Sequence, residues 1–215
     1  MGVITSHLDV FARGFLVSLE LTAWTCAIGG LLGLVLAVCR LSPVEPLRLA
    51  SRLCVSAVRS VPLLVLLTLF VFGLPEIGVV YSLYWTVVTA MSVYWAAFFC
   101  ETLRSGARAV PAGQFEAARA LGLTFSKILR LIVLPQALRS IIQPLASLLI
   151  AVMLNSSLAA AVGVTQELTG QTQLLDQQYA EPLITFAAAA GCYALFTFGV
   201  GRLAALLERR LVITR

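Results

Sequence analysis

Long apolar runs alternate with short polar segments along this chain, and the runs have the length of membrane spans. Five stand out, at residues 14–39, 55–74, 77–100, 141–164 and 182–200. A spanning helix needs about 20 apolar residues, and each run supplies them. The first carries one charge, Glu20, and the third carries none. The second holds Arg59 and Pro62 near its start, and the fourth holds Gln143, Pro144 and Asn155. The helical pattern of the fifth continues toward Arg210.

The polar segments alternate in charge. Arg40, Arg48 and Arg52 follow the first run, and GLPEIG, with no base, separates the second from the third. Arg104, Arg108, Arg119, Lys127, Arg130 and Arg139 precede the fourth. Residues 165–181 carry Glu167, Asp176 and Glu181 and no base, and Arg202, Arg209, Arg210 and Arg215 end the chain. Basic loops stay in the cytoplasm. The expected architecture is therefore an all-α membrane protein of five spans, with the N-terminus outside and the C-terminus in the cytoplasm. It reads as one transmembrane domain over 1–215, with no internal repeat. His7, Asp9 and Arg13 precede the first run and no small-x-small site follows it closely, so no cleavable signal peptide is expected.

Composition supports this. Of the 215 residues, 60% are hydrophobic and 12% charged, against about 25% charged in soluble domains. The net charge of +5 follows from the basic loops that topology requires, and no aromatic-and-basic surface for nucleic acid is evident. The cysteines Cys26, Cys39, Cys54, Cys100 and Cys192 are scattered without a C-x-x-C, and His7 is the only histidine. No metal site is expected; the cysteines read as small apolar packing residues. Gly29-x-x-x-Gly33 in the first run is either a close helix contact or a chance spacing.

The loop at about 111–135 carries the most information. Pro111 can start a helix through AGQFEAARAL, and Gly122 can stop it, because glycine adopts the left-handed conformation cheaply. Thr124 or Ser126 can cap a second helix through KILRLIVL. The first helix is marginal alone and would gain from a groove in a partner. Phe115, Ala118 and Leu121 can share a face, Ala117 and Ala120 allow close approach, and Glu116 can pair with a base on the partner or with Arg119 or Arg130. The spacing is Glu116-Ala117-Ala118, three residues, Gly122, nine residues, then Ile132-x-Leu134-Pro135.

That spacing resembles the coupling loop of the permease subunits of ATP-binding-cassette importers. The likeness extends along the chain and points to the polar amino-acid uptake family. It rests on residues 14–40, Arg59-Ser60-Val61-Pro62-Leu63-Leu64, Cys100-Glu101-Thr102-Leu103-Arg104-Ser105-Gly106, Leu134-Pro135-Gln136-Ala137-Leu138-Arg139, Gly163-Val164-Thr165-Gln166-Glu167-Leu168 and Glu208-Arg209-Arg210-Leu211. The resemblance implies a type I importer permease in a bacterial inner membrane, multi-pass and not itself an enzyme. Its implied partners are a cytoplasmic ATPase dimer carrying ATP and Mg, a second permease subunit (identical or homologous), and an extracytoplasmic amino-acid-binding protein. The chain itself binds no cofactor; lipid surrounds it. The coupling residues are then Phe115, Glu116, Ala117, Ala118, Leu121 and Gly122. No G-x-x-x-x-G-K-[ST] occurs, so ATP is not cradled here in the usual way.

Polar groups within the runs need a reason, because a charge in hydrocarbon costs about 2.5–3.5 kcal/mol or more. Arg59 either snorkels to the headgroups or, with Ser60, lines the passage and meets a substrate carboxylate. Glu101 either pairs with Arg104 along one helix or forms a gate or interface pair. Glu20 can reach the outer surface. Asn155, Ser156 and Ser157 either hydrogen-bond neighbouring helices or line the passage. The family often has Lys-Asp-Thr-Ser-Leu where this chain has Leu154-Asn155-Ser156-Ser157-Leu158. Lacking that Asp and having Arg59, the passage is expected to favour glutamate, aspartate or glutamine over lysine or arginine. The alternative is an ion-coupled secondary transporter or channel for a small polar solute, which predicts acidic residues at mid-span.

Overall fold

A computed structural model describes residues 6–211; Arg215, counted among the basic C-terminal residues, lies outside them. The described residues form helices and no strand. Helix α1, Leu8–Leu41, is the longest, at 34 residues. Phe11, Gly14, Ser18, Leu21, Thr25, Gly29, Gly33 and Ala37 recur three or four apart and form its buried stripe. From Leu21 to Ala37 that stripe lies on α4, Leu83–Arg108, while Phe11, Gly14 and Ser18 meet the segment around Glu167 and Leu168. A Cβ at Gly33 would stand 2.8 Å from the Ala96 carbonyl oxygen, and one at Gly29 would stand 3.1 Å from that of Ser92. The Gly29-x-x-x-Gly33 pair is thus a close helix contact. The main core gathers around it from Leu21, Leu67, Met91, Trp95 and Val152.

The second apolar run departs from the expected single span. Helix α2, Glu45–Arg59, ends one residue before Ser60, and α3, Leu63–Glu76, starts after Pro62 at a bend of 97°. Pro62 is extended, with ψ 139°; it has no N–H to continue a ladder, and its ring drives the residue before it out of helical geometry. Within α3 the turn at Leu69–Gly73 widens to a π-helix just before Pro75, where the proline ring crowds the carbonyl four residues back. Among the described residues four helices are long and apolar enough to cross a membrane, and a fifth span exists if α2 and α3 count as one broken crossing.

The third run also shifts. Gly78 turns at φ +80°, residues 77–82 are not helical, and α4 begins after Ser82, whose hydroxyl accepts from the Trp85 amide at 3.4 Å. The helix then runs past Glu101 to Arg108. Next come α5, Ala112–Ala120, α6 at 125–140 with a π-turn at Leu129–Val133, and α7, Ile142–Ser156, which tightens to a 3₁₀ turn at Ser157–Val162. The acidic segment 165–181, read as a loop, instead holds helix α8, Leu168–Tyr179. The last helix, α9, is Pro182–Leu211 and packs on α7 and α8.

Candidate functional site

The loop between α4 and α7 takes the expected helix–turn–helix form. Gly122 has φ +77°. Its amide donates to the Arg119 carbonyl at 2.9 Å, and the Leu123 amide donates to that of Ala118 at 3.1 Å. These two bonds are a Schellman cap, so α5 is closed and the chain reverses into α6 directly after Thr124. Glu116, Ala117, Ala120 and Leu121 are exposed, Leu121 at 81%. Phe115 is half-buried and Ala118 is buried. The expected Phe115–Ala118–Leu121 face is therefore divided: the first two turn toward the loop itself, and Leu121, past the last helical turn, faces outward. Glu116 is ion-paired to no described residue. Sequence reasoning missed the bond that fixes this loop. The Gln136 amide donates to the Gln114 side-chain oxygen at 2.6 Å and to the Ile132 carbonyl at 3.0 Å.

Arg40, Arg52, Arg59, Arg104 and Glu101 gather where α1, α2 and α4 converge. Arg104 Nε and Nη2 donate to Glu101 Oε2 at 2.9 and 2.6 Å, the pairing expected along α4. A second partner comes from another helix: Arg40 Nη1 of α1 lies 2.7 Å from Glu101 Oε1. These three side chains are only 17–23% exposed. Arg59 places its guanidinium 5.2 Å from the Phe98 ring centroid, within cation–π range. It stands between two cavities. One, of about 460 Å³, lies between α4 and the junction of α6 with α7, with Ser105, Pro144 and Leu148 in its wall. The other, of about 380 Å³, lies between α1, α2 and α4 and includes Ser60.

Asn155, Ser156 and Ser157 sit where α7 tightens. Each satisfies its side chain on its own helix: Asn155 donates to the Ala151 carbonyl at 2.8 Å, Ser156 to that of Met153 and Ser157 to that of Leu154, both at 2.7 Å. They line neither cavity beside Arg59. Glu20, at the other end of the molecule, is exposed and borders a separate cavity with Tyr84, Trp85 and Gln166.

Glu167 was the least legible polar residue. Its side chain is fully buried. Oε1 accepts from the Gly170 amide at 2.6 Å, capping α8. Oε2 accepts from Ser18 of α1 at 3.3 Å and Tyr193 of α9 at 3.2 Å. The Leu168 amide in turn donates to Ser18 Oγ at 3.1 Å. Burial pushes the Glu167 carboxyl above its ordinary value, and these donors, with the Thr169 amide, pull against that rise. One carboxyl group thus ties α8 to α1 and α9.

Comparison with known proteins gives a consistent result. Residues 29–213 match the model of a family described as "Binding-protein-dependent transport system inner membrane component". A probable glutamine ABC transporter permease protein, GlnP, of Bacillus subtilis is 32% identical, with 96% of this chain and 94% of that protein covered. The glutamate transport system permease protein GluC of Corynebacterium efficiens is 33% identical, over 88% and 90% of the two chains. Among solved structures, a crystal structure of an amino acid ABC transporter with histidines superposes with a TM-score of 0.91 at 29% identity, covering 96% of each chain.

Proposed function

This chain belongs to the family of binding-protein-dependent transport system inner membrane components, and we propose that it passes an acidic or neutral polar amino acid (glutamate, aspartate or glutamine) across that membrane. It is a multi-pass permease subunit of an amino-acid ABC importer and not an enzyme; ATP is hydrolysed by a separate ATPase. That membership sets aside the ion-coupled carrier or channel.

The observation that carries the substrate reading is the charge balance around Arg59. Glu101 faces Arg40 and Arg104, and in the wall of the cavity between α4 and α7 the two guanidiniums of Arg59 and Arg104 outnumber that one carboxylate. Such a surface suits a substrate carboxylate and repels a cationic side chain. The relatives' own names range over glutamine, glutamate, cystine and octopine, so the substrate reading rests on the charge around Arg59 and not on those names. Asn155, Ser156 and Ser157 are bonded to their own helix, with Ser156 fully buried, and Ser60 lies in the neighbouring cavity, so none of these four carries the reading.

In this reading the exposed face of α5, with Glu116, Ala117 and Leu121, is the seat of the ATPase. Phe115, Ala118 and Gly122 hold that face in shape. ATP binding on the partner moves α5, and α6, tied to it through Gln136, carries the motion to α7. A second permease copy or homologue completes the passage, and a binding protein delivers the amino acid. The test is uptake by the reconstituted importer with competing amino acids. Glutamate or glutamine is expected to compete and arginine not to, and Arg59→Gln is expected to raise KM for the acidic substrate while leaving the ATPase bound. Competition by arginine alone would overturn the substrate class.

A further inference from the structure

The cavity of about 380 Å³ between α1, α2 and α4 has an unbalanced charge. Its walls include Arg40, Arg52, Ser56, Arg59 and Glu101. Glu101 is saturated by Arg40 and by Arg104. Arg52 and Arg59 have no carboxylate partner among the described residues. Arg40 pairs with Glu101 through its buried Nη1, and its side chain also lines the cavity, where its remaining guanidinium donors would face an anion. Guanidinium charge at a membrane interface is stable when an anion meets it, and the volume falls in the range of roughly 300–1,000 Å³ usual for small-molecule sites.

The shape of α2 says which anion. At 100° per residue, Arg52 and Arg59 fall on one side of the helix, next to the buried Val55. Leu49 and Leu53 fall on another side and are 47% and 60% exposed. A basic recess therefore lies beside an exposed apolar stripe, on the end of the molecule that carries the basic loops. Phosphate headgroup and acyl chain make the same pair of demands, and basic recesses between membrane helices on the cytoplasmic side bind anionic headgroups. We propose that this cavity is a binding site for an anionic phospholipid. Arg40 and Arg52 donate to the phosphate oxygens, Ser56 supplies a further hydroxyl, and one acyl chain lies along Leu49 and Leu53.

The test uses the assembled importer, wild type and Arg52→Gln, with Arg48→Gln as a control. Arg48 is on the same helix, paired with Glu45 and outside the cavity. Retained lipid is measured by native mass spectrometry. Thermal stability is measured with added phosphatidylglycerol, phosphatidylcholine or inorganic phosphate. Wild type and Arg48→Gln are expected to retain phosphatidylglycerol and to be stabilised by it alone. Arg52→Gln is expected to bind it about tenfold more weakly, as loss of one charged hydrogen bond implies. Equal retention by wild type and Arg52→Gln overturns the proposal. So does stabilisation by inorganic phosphate equal to that by the lipid, which would mark a free-anion site. If Arg52→Gln lowers uptake by the same factor in vesicles with and without phosphatidylglycerol, the cavity serves the passage and the lipid assignment is wrong.

Discussion

Gln136 reaches back from α6 and donates to the Gln114 side chain across 2.6 Å, tying the exposed loop helix to the helix that leads into α7. The bond joins the first turn of α5 to the stretch just after the π-turn of α6. If α5 moves with the ATPase as proposed, this bond is expected to pass the movement to α6. Gln136→Leu removes the donor and leaves Gln114 unmatched, a cost of about 1 kcal/mol. The expected outcome is an importer that still assembles but takes up substrate several-fold more slowly per ATP hydrolysed. Measurement of uptake and hydrolysis on the same proteoliposomes checks this, and an unchanged ratio removes Gln136 from the coupling path.

The contact of α1 with α4 depends on two small residues. Gly33→Val places carbon where the Ala96 carbonyl and Phe99 already sit, and overpacking of this kind costs about 1–3 kcal/mol. Gly30, about 60° round the helix from Gly33, has nothing within 4 Å of a built Cβ. Gly33→Val is expected to lower the melting temperature and the yield in membranes, and Gly30→Ala to leave both near wild type. Equal behaviour of the two variants would contradict the packing.

Glu101 holds two arginines from two helices. Glu101→Gln leaves Arg40 and Arg104 facing one another in a site less than a quarter exposed. Breaking such a pair from one side costs several kcal/mol when burial is complete, and about 2 kcal/mol is expected here. Arg104→Gln, which leaves the Arg40 pair, is expected to cost less. A thermal denaturation series on the assembled complex ranks the two; the reverse order would show that Arg40 contributes little.

Glu167 gives a dependence on pH with a definite sign. Its folded value is raised by burial above the ordinary 4.5. Between those two values the folded state holds more protons than the unfolded state. Stability therefore falls as pH rises through that window and is level above it. Glu167→Gln removes the titration, and its side-chain oxygen can still accept from the Gly170 amide. The variant is expected to lose this portion of the pH dependence and to be the more stable form at neutral pH. A melting series against pH reads this directly. Wild type and variant curves of the same slope would contradict it.

The parts legible in the sequence were those set by local pattern. The apolar runs, the Gly122 reversal and the Glu101–Arg104 pair all follow from spacing along one segment, whereas the Gly29 and Gly33 spacing left a close contact and chance both open. The missed parts depend on residues far apart in the chain. Helix α8 carries Thr169, Gly170 and Thr172 in its first two turns, which lower its intrinsic helical preference; its start is capped by Glu167, which Ser18 and Tyr193 hold in place. The Arg40–Glu101 pair spans 61 positions and has no local signature. The break at Pro62 was visible as a proline, but hydropathy alone read through it, because Val55, Ala57, Val58 and Val61 keep the run apolar up to the proline.

The central claim is that the loop around α5 is where an ATPase docks, and co-purification tests it most directly. The chain is tagged, extracted gently with its neighbours, and compared with Gly122→Val, which forces a side chain into a φ of +77° at a cost of about 1–2 kcal/mol and opens the cap that shapes α5. An ABC ATPase retained by wild type and lost or strongly reduced with Gly122→Val is the predicted result. An ATPase retained equally by both, in a variant still inserted in the membrane, would place the docking surface elsewhere on the chain.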